Sequence, residues 1–330
     1  MHKAPVDFVV GVDVGATKTL AGVVTMNGEI LGRTKTKTPS EQSYRQVLSV
    51  IAACIEKAIS DSNLPRSRIA AVGIGLAGLL DHETGVVKAE PNLGWESVPV
   101  KQALERELKL RVFLENDVNA GTLAEYQLGA GVGVKNLVGV FVGTGIGGGL
   151  IFDGRLYHGF GGVAGELGHI IVKTNGPRCG CGNRGCLEAL ASRTAIVRDL
   201  AKAIAKGRKS SLSKLIRNGD LRHIGSNTLA TAFRDGDKLT MKIVKRSARY
   251  CGIGVASVLN LLNPEMVVLG GGVVEAFGSD YVEMVIKAAR KQTFPATFQG
   301  IQIVPARLGD DAVLLGAACL ARENIERLKG

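Results

Sequence analysis

Nowhere in the 330 residues does an uninterrupted apolar run reach about 18 residues, which excludes a membrane-spanning helix. The opening segment, MHKAPVDFVVGVDVGATK, carries only a short apolar run broken by Asp13. No secretory signal is expected there, and the chain is expected to be soluble and cytoplasmic. Aromatic residues are few, at 5%, and none interrupts the basic clusters at Lys35/Lys37, Arg66/Arg68, Lys206/Arg208/Lys209 and Lys242/Lys245/Arg246. The formal charge of +11 therefore points to a basic surface suited to an anionic substrate, and no nucleic-acid partner is expected. Cysteine is also scarce: there are six, three of them at Cys179, Cys181 and Cys186. In a reducing compartment such a cluster is expected to bind metal or take part in catalysis instead of forming disulfides.

What the chain has in abundance is glycine, 44 residues with no Gly-X-Y period. That points to tight turns and close backbone approach to a ligand. The length suits two domains. Two stretches share one pattern, VGVDVGATKTLAGVV at 10–24 and VGVFVGTGIGGGLIF at 138–152. Val10, Gly11, Val12, Val14 and Gly15 recur as Val138, Gly139, Val140, Val142 and Gly143. Each reads as a β-hairpin with a Gly/Thr-rich turn. The second also matches G-x-G-x-x-G, but dinucleotide binding needs a helix directly after the glycines. GGLIFDGRLYHG follows instead, read as strand and turn, so that function is excluded.

Two such hairpins imply two related lobes gripping one ligand. Backbone N–H groups at the turns can cradle phosphate oxygens, with Thr17 and Thr144 adding hydroxyl donors. Asp13 is placed to hold Mg²⁺.

Elsewhere strands and helices alternate. A helix is expected from an N-cap at Ser40 to about residue 62, burying Val47, Ile51, Cys54, Ile55, Ala58 and Ile59. Strands are expected at 69–76, ending in Gly75-Leu76-Ala77-Gly78, and at 111–114, running into Glu115-Asn116-Asp117 before a helix to about 128. A long helix over roughly 238–262 stops at Asn263-Pro264. The strand MVVLG, the turn Gly270-Gly271-Gly272, one helix, a strand at 301–304 and a last helix from about 310 complete the chain. This order predicts a mostly parallel or mixed sheet covered by helices.

Asp117, just past a strand, has two readings. It could accept a proton from a substrate hydroxyl oriented by Asn116, or it could N-cap the following helix. His169 and the three cysteines form H-x9-C-x-C-x4-C, a Cys₃His inventory for tetrahedral zinc. Four protein ligands with no open position indicate a structural ion, and Glu166 and Glu188 flank it. A nucleic-acid zinc finger would want a basic recognition helix, which LEALAS is not. Cys54, Cys251 and Cys319 read as small core residues.

These motifs resemble the ROK family of sugar kinases and sugar-responsive repressors, most closely its bacterial glucokinase type. The resemblance rests on DVGATKT (13–19), PNLGW (91–95), ENDVNA (115–120), GTGIGGG (143–149), GELGH (165–169) and CGCGNRGCLE (179–188). Ala16 and Ala77 depart from the usual glycine and proline of that pattern.

The resemblance implies an α/β, two-lobe, actin-like (ribonuclease-H-like) ATPase fold with duplicated βββαβα-type domains. The small lobe would comprise 1–116 plus about 306–330, and the large lobe 117–305. It implies phosphorylation of a hexose, glucose first, at the 6-hydroxyl by ATP, with Asp117 as the base. Gly78, Asn92, Asn116, Asp117, Glu166, His169 and Glu188 would bind sugar. Asp13, Gly15, Thr17, Lys18, Thr144, Gly145, Gly270, Gly271 and Gly272 would hold ATP, with Asp13 at Mg²⁺. His169, Cys179, Cys181 and Cys186 would hold zinc. Mannose, fructose or N-acetylmannosamine are alternative substrates, and polyphosphate an alternative donor. A repressor of the same family would carry an added DNA-binding domain ahead of the Asp13 hairpin, for which no room is expected. A homodimer or higher homo-oligomer is also implied.

Overall fold

The structure is a computed structural model and describes residues 8–217 and 224–328. Two five-stranded mixed sheets form its centre, and they repeat one plan. In the first, β1 (Phe8–Val14), β2 (Lys18–Thr25) and β3 (Ile30–Lys37) run antiparallel, while β4 (Ile69–Leu76) and β8 (Arg111–Asn116) continue parallel to β1. The order is β3-β2-β1-β4-β8. In the second, β9 (Leu137–Val142), β10 (Ile146–Phe152) and β11 (Arg155–Leu156) are antiparallel, and β12 (Met266–Gly270) and β13 (Gln302–Pro305) run parallel to β9. That order, β11-β10-β9-β12-β13, is the same plan again. Even the register matches: Gly11 faces Gly22 in one hairpin and Gly139 faces Gly149 in the other. A small antiparallel sheet of β5 (Leu79–Asp81), β6 (Val86–Glu90) and β7 (Trp95–Val98) is inserted between β4 and β8.

Central strands are apolar on both faces because helices cover both. Side chains alternate along β1, so Val10, Val12 and Val14 meet α1 (Tyr44–Asp61) while Val9 meets the last helix, α11 (Ala312–Arg327). On the second sheet Val138, Val140 and Val142 join a core with α8 (Lys238–Leu262) and α10 (Ser279–Arg290). The opposite face packs on α3 (Asp117–Leu128).

Helices α3 and α11 exchange places. Helix α3 follows the last strand of the first sheet yet lies on β9 and β10, and α11 follows the last strand of the second sheet yet lies on β1 and β4. The two pack against each other so closely that a Cβ on Gly316 would sit 1.7 Å from the Ala120 carbonyl oxygen. Only glycine allows that approach.

Two expectations need correction. The cap of α1 is Ser43, not Ser40: its hydroxyl accepts from the Gln46 N–H while the Gln46 side chain accepts from the Ser43 N–H, a capping box. The single helix expected after Gly272 is two, α9 (Gly272–Phe277) and α10, because Gly278 takes a φ of 61° that no helix interior accommodates. Cys54, Cys251 and Cys319 are buried, as expected for small core residues. Among the described residues no helix is long and apolar enough to cross a membrane.

Candidate functional site

Strands β1, β4 and β8 are parallel neighbours, with Asp13 opposite Gly75 and Leu76 opposite Asn116. Their carboxyl ends therefore gather Asp13, Gly78, Asn116 and Asp117 at one sheet edge, where α/β proteins present ligand-binding groups. The N-cap of α3 is Asn116, whose Oδ1 accepts from the Val118 and Asn119 N–H groups at 2.9 and 3.3 Å. This corrects the capping reading of Asp117, which is the first helical residue and accepts from the Val118 N–H at 2.9 Å. With Oδ1 of Asn116 committed to the helix, its Nδ2 is the group left to meet a ligand.

Burial pushes the Asp117 carboxyl up, and the charge of Glu90 adds to that. Glu90 is 3% exposed and was not singled out from the sequence. It accepts from Asn92 Nδ2 at 2.8 Å and from the Leu93 N–H. Asn92 thus reaches the surroundings of Asp117 through Glu90.

Next to Asp117 opens a cavity of about 150 Å³. One wall is Gly78, Leu80, His82, Asn116, Val118 and Asn119; the other is Gly147, Gly148, the glycine-rich segment Gly162–Gly165 and Glu166. Of the residues expected to bind sugar, Gly78, Asn116 and Glu166 line this cavity. Asn92, Asp117, His169 and Glu188 are not among its lining residues.

The two glycine hairpins close with Gly15 N–H to Lys18 O and Gly143 N–H to Gly145 O, each 2.9 Å, the first turn being one residue longer. Burial, then Asp117, push the Asp13 carboxyl up to about 6, with Lys18 opposing and Asp310 adding. Glu275 is also raised, by burial and then by Asp310. Asp13, Asp310 and Glu275 thus outnumber the one lysine beside them, a charge imbalance that suits a divalent cation.

On the second hairpin, Thr144 Oγ1 accepts from Arg193 Nη2 at 2.6 Å, and its carbonyl accepts from Thr194 Oγ1 at 2.7 Å. Thr144 opens on a second cavity of about 470 Å³ with Arg193, Thr194, Val197, Lys202 and Ile224 in its walls. Those α5 residues (Arg193–Ala205) carried no recognisable motif. The Gly270–Gly272 turn lies against the same strand: Gly271 has φ 86°, and a Cβ there would meet Val142 backbone at 2.8 Å.

Cys179, Cys181, Cys186 and His169 converge, each offering a ligand atom within 4.8 Å of the others. Cys181 and Cys186 Sγ are 3.7 Å apart, and Cys179 Sγ is 3.6 Å from His169 Nδ1. With metal–sulfur bonds of about 2.3 Å, a tetrahedral edge is about 3.8 Å, so the set fits that geometry. Burial drives the Cys186 thiol up to about 12, while the Asn183 N–H holds Cys181 below the usual thiol range. The other imidazole nitrogen, Nε2, faces Glu166 Oε2 at 3.8 Å. Glu188 Oε2 accepts from the Ile146 N–H at 3.0 Å, and its other oxygen lies 3.8 Å from Cys179 Sγ. The cluster is therefore tied both to the cavity wall and to the second hairpin.

Comparison with known proteins identifies the family. The ROK family profile matches residues 9–324. A glucokinase of Thermotoga maritima is 37% identical over 317 residues, covering 96% of this chain and 98% of its own. Among solved structures, a ROK hexokinase from Thermus thermophilus superposes with a TM-score of 0.81 at 36% identity, over 97% of this chain and 99% of its own. A ROK family glucokinase from Streptomyces griseus, in complex with glucose and AMPPNP, gives 0.78 at 36% identity, over 96% and 99%. The duplicated sheet plan is thus the actin-like ATPase fold of these kinases, and the chain belongs to the ROK family.

Proposed function

We propose that this protein is an ATP-dependent hexose kinase that phosphorylates the 6-hydroxyl, with glucose as the preferred sugar. The observation that carries the reading is Asp117: a half-buried carboxylate at the sheet's carboxyl edge, released from capping by Asn116, between two residues that line the cavity. Its raised proton affinity suits a general base.

In this mechanism the sugar lies in the smaller cavity, with Asn116 Nδ2 orienting the attacking hydroxyl. The hydroxyl oxygen attacks the γ-phosphorus in line, its proton passes to Asp117, and ADP leaves. Thr17, Lys18, Thr144, Gly145 and the hairpin N–H groups position the phosphates. The larger cavity and the Gly270–Gly272 turn take the nucleoside. A divalent cation held by Asp13 would neutralise phosphate charge, and Lys18 would assist. Zinc held by His169, Cys179, Cys181 and Cys186 would be structural, fixing His169, Glu166 and Glu188 at the rim, where C1 and C2 of the sugar are expected.

Lobe boundaries at 1–116 with about 306–330, and at 117–305, are supported by the packing of α11 on the first sheet. Six free cysteines accord with a reducing, cytoplasmic setting. Light scattering in solution tests the expected homo-oligomer.

The decisive experiment is Asp117→Asn. Sugar binding should stay near wild type by calorimetry, while kcat falls about 10²–10⁴-fold. Near-normal turnover would remove Asp117 as the base. An ADP-release screen over hexoses, amino sugars and polyphosphate ranks the substrates.

A further inference from the structure

Three side chains that the phosphoryl-transfer reading leaves unused meet at the wall of the smaller cavity. His82 follows β5, Glu115 lies in β8, and His158 comes two residues after β11. His158 Nε2 is 2.7 Å from Glu115 Oε2, and His82 Nδ1 is 3.7 Å from Glu115 Oε1. The two imidazole rings are 4.3 Å apart, and one ligand atom from each of the three residues lies within 4.8 Å of the others.

Two features do not fit an ordinary hydrogen-bonded cluster. His82 Nδ1 is buried with no hydrogen-bond partner, although it points at a carboxylate oxygen just beyond bonding range. The two rings also crowd together beside that one carboxylate, with their centroids 4.3 Å apart. A cation between them would answer both. Glu115 is 1% exposed and already braced, since Oε1 accepts from the Asn116 N–H at 2.9 Å and from Asn119 Nδ2 at 3.0 Å. Burial, the largest single influence, would raise its proton affinity, but the hydrogen bonds from His158 and Asn119 and the two facing imidazoles together lower it, which favours the ionised form a metal ligand needs.

We propose that His82, Glu115 and His158 form a second metal site, distinct from the cysteine cluster, for zinc or a cation of similar ligand preference. Two imidazoles and one carboxylate are a borderline donor set of that type, and three protein ligands leave a coordination position open. The Asn119 amide serves as the outer brace such carboxylates need. Binding displaces the proton shared by His158 and Glu115, so affinity falls as pH falls. The ion would join the turn after β5 to the segment after β11, one from each wall of the cavity. Its bearing on sugar binding rests on the kinase reading, but the site itself does not.

The test uses full-length protein equilibrated with Co²⁺, desalted, and measured for bound metal and absorption. Wild type should hold two cobalt ions per chain, one of them giving thiolate charge-transfer bands. His82→Gln and, separately, His158→Gln should each lose one ion and keep those bands. Cys181→Ser should lose the bands and keep the ion that the histidines bind. A single ion carrying thiolate bands in wild type, or a second ion that survives both histidine substitutions, overturns the proposal. A single ion without thiolate bands that disappears in His82→Gln supports it, and would instead count against zinc at the cysteines.

Discussion

At Asp13, stability and function pull in opposite directions. Its carboxyl is pushed up to about 6, against an ordinary value of 3.8, chiefly by burial. The folded state therefore holds its proton more tightly than the unfolded chain, so this group's cost is full above pH 6 and fades as pH falls from 6 towards 4. A shift of that size corresponds to about 3 kcal/mol. In the absence of divalent cations, Asp13→Asn should raise Tm at pH 8 and do little at pH 4, which calorimetry across pH would show, while abolishing phosphorylation. Asp117 is raised in the same direction, so the acidic limb of kcat should lie above the usual carboxylate range; a limb near pH 4 would count against its role. Asp13 and Asp117 were both legible, because each stands at a strand end inside a recognisable motif. Glu90, Asp310 and Glu275 were not. Nothing local marks a carboxylate whose importance comes from what folds beside it, and Glu90 matters only because β6 brings it near Asp117.

Among the elements, the cysteine loop makes the sharpest demand. Gly185 takes φ 82°, and a Cβ there would lie 1.8 Å from the Lys173 carbonyl oxygen, so the loop closes only on glycine. Cys181→Ser, or treatment with a strong chelator, should lower Tm and raise the sugar KM before nucleotide affinity changes, because Glu166, which faces His169, shares the smaller cavity's wall while none of the four cluster residues lines the larger cavity proposed for the nucleoside. An unchanged sugar KM would mean that the cluster does not brace the cavity. Helix α1 offers a contrasting case: Ser43→Ala should cost about 1 kcal/mol in chemical denaturation and leave kcat alone. The strands β4, β8 and β13 and the helices α3 and α8 agree with the sequence reading to within a residue or two, whereas β3 and α5 were not read from it. The cap was misplaced because Ser40 and Ser43 both precede the apolar stripe, although Gln46, three residues after Ser43, was the available signal. The strands β5 to β7 are three to five residues long, too short for alternation to register.

Across the whole molecule, the plan of two halves with one topology was legible in the repeated hairpins, since the same spacing of valine and glycine imposes the same strand pair twice. The exchange of α3 and α11 was not, because each helix carries a small-residue face that says what it can approach but not whose sheet it joins. At the crossing, Gly316→Val should destabilise by at least about 1–3 kcal/mol, read as a lowered Tm, and should loosen the hold of one half on the other. The face of the first sheet formed by Val9, Leu20, Val24 and Ala71 is covered by Leu314, Leu315, Ala318 and Ala321 of α11. A fragment ending at residue 116 should therefore be insoluble alone and recoverable only when the remainder is supplied with it. The same arrangement sets a schedule for the nascent chain. Between Asn116, where the first sheet ends, and Ala312, where its covering helix begins, lie 195 residues. At 5–20 residues per second, the earliest-made sheet waits roughly 10–40 s with one apolar face bare, an interval in which that face is open to wrong partners.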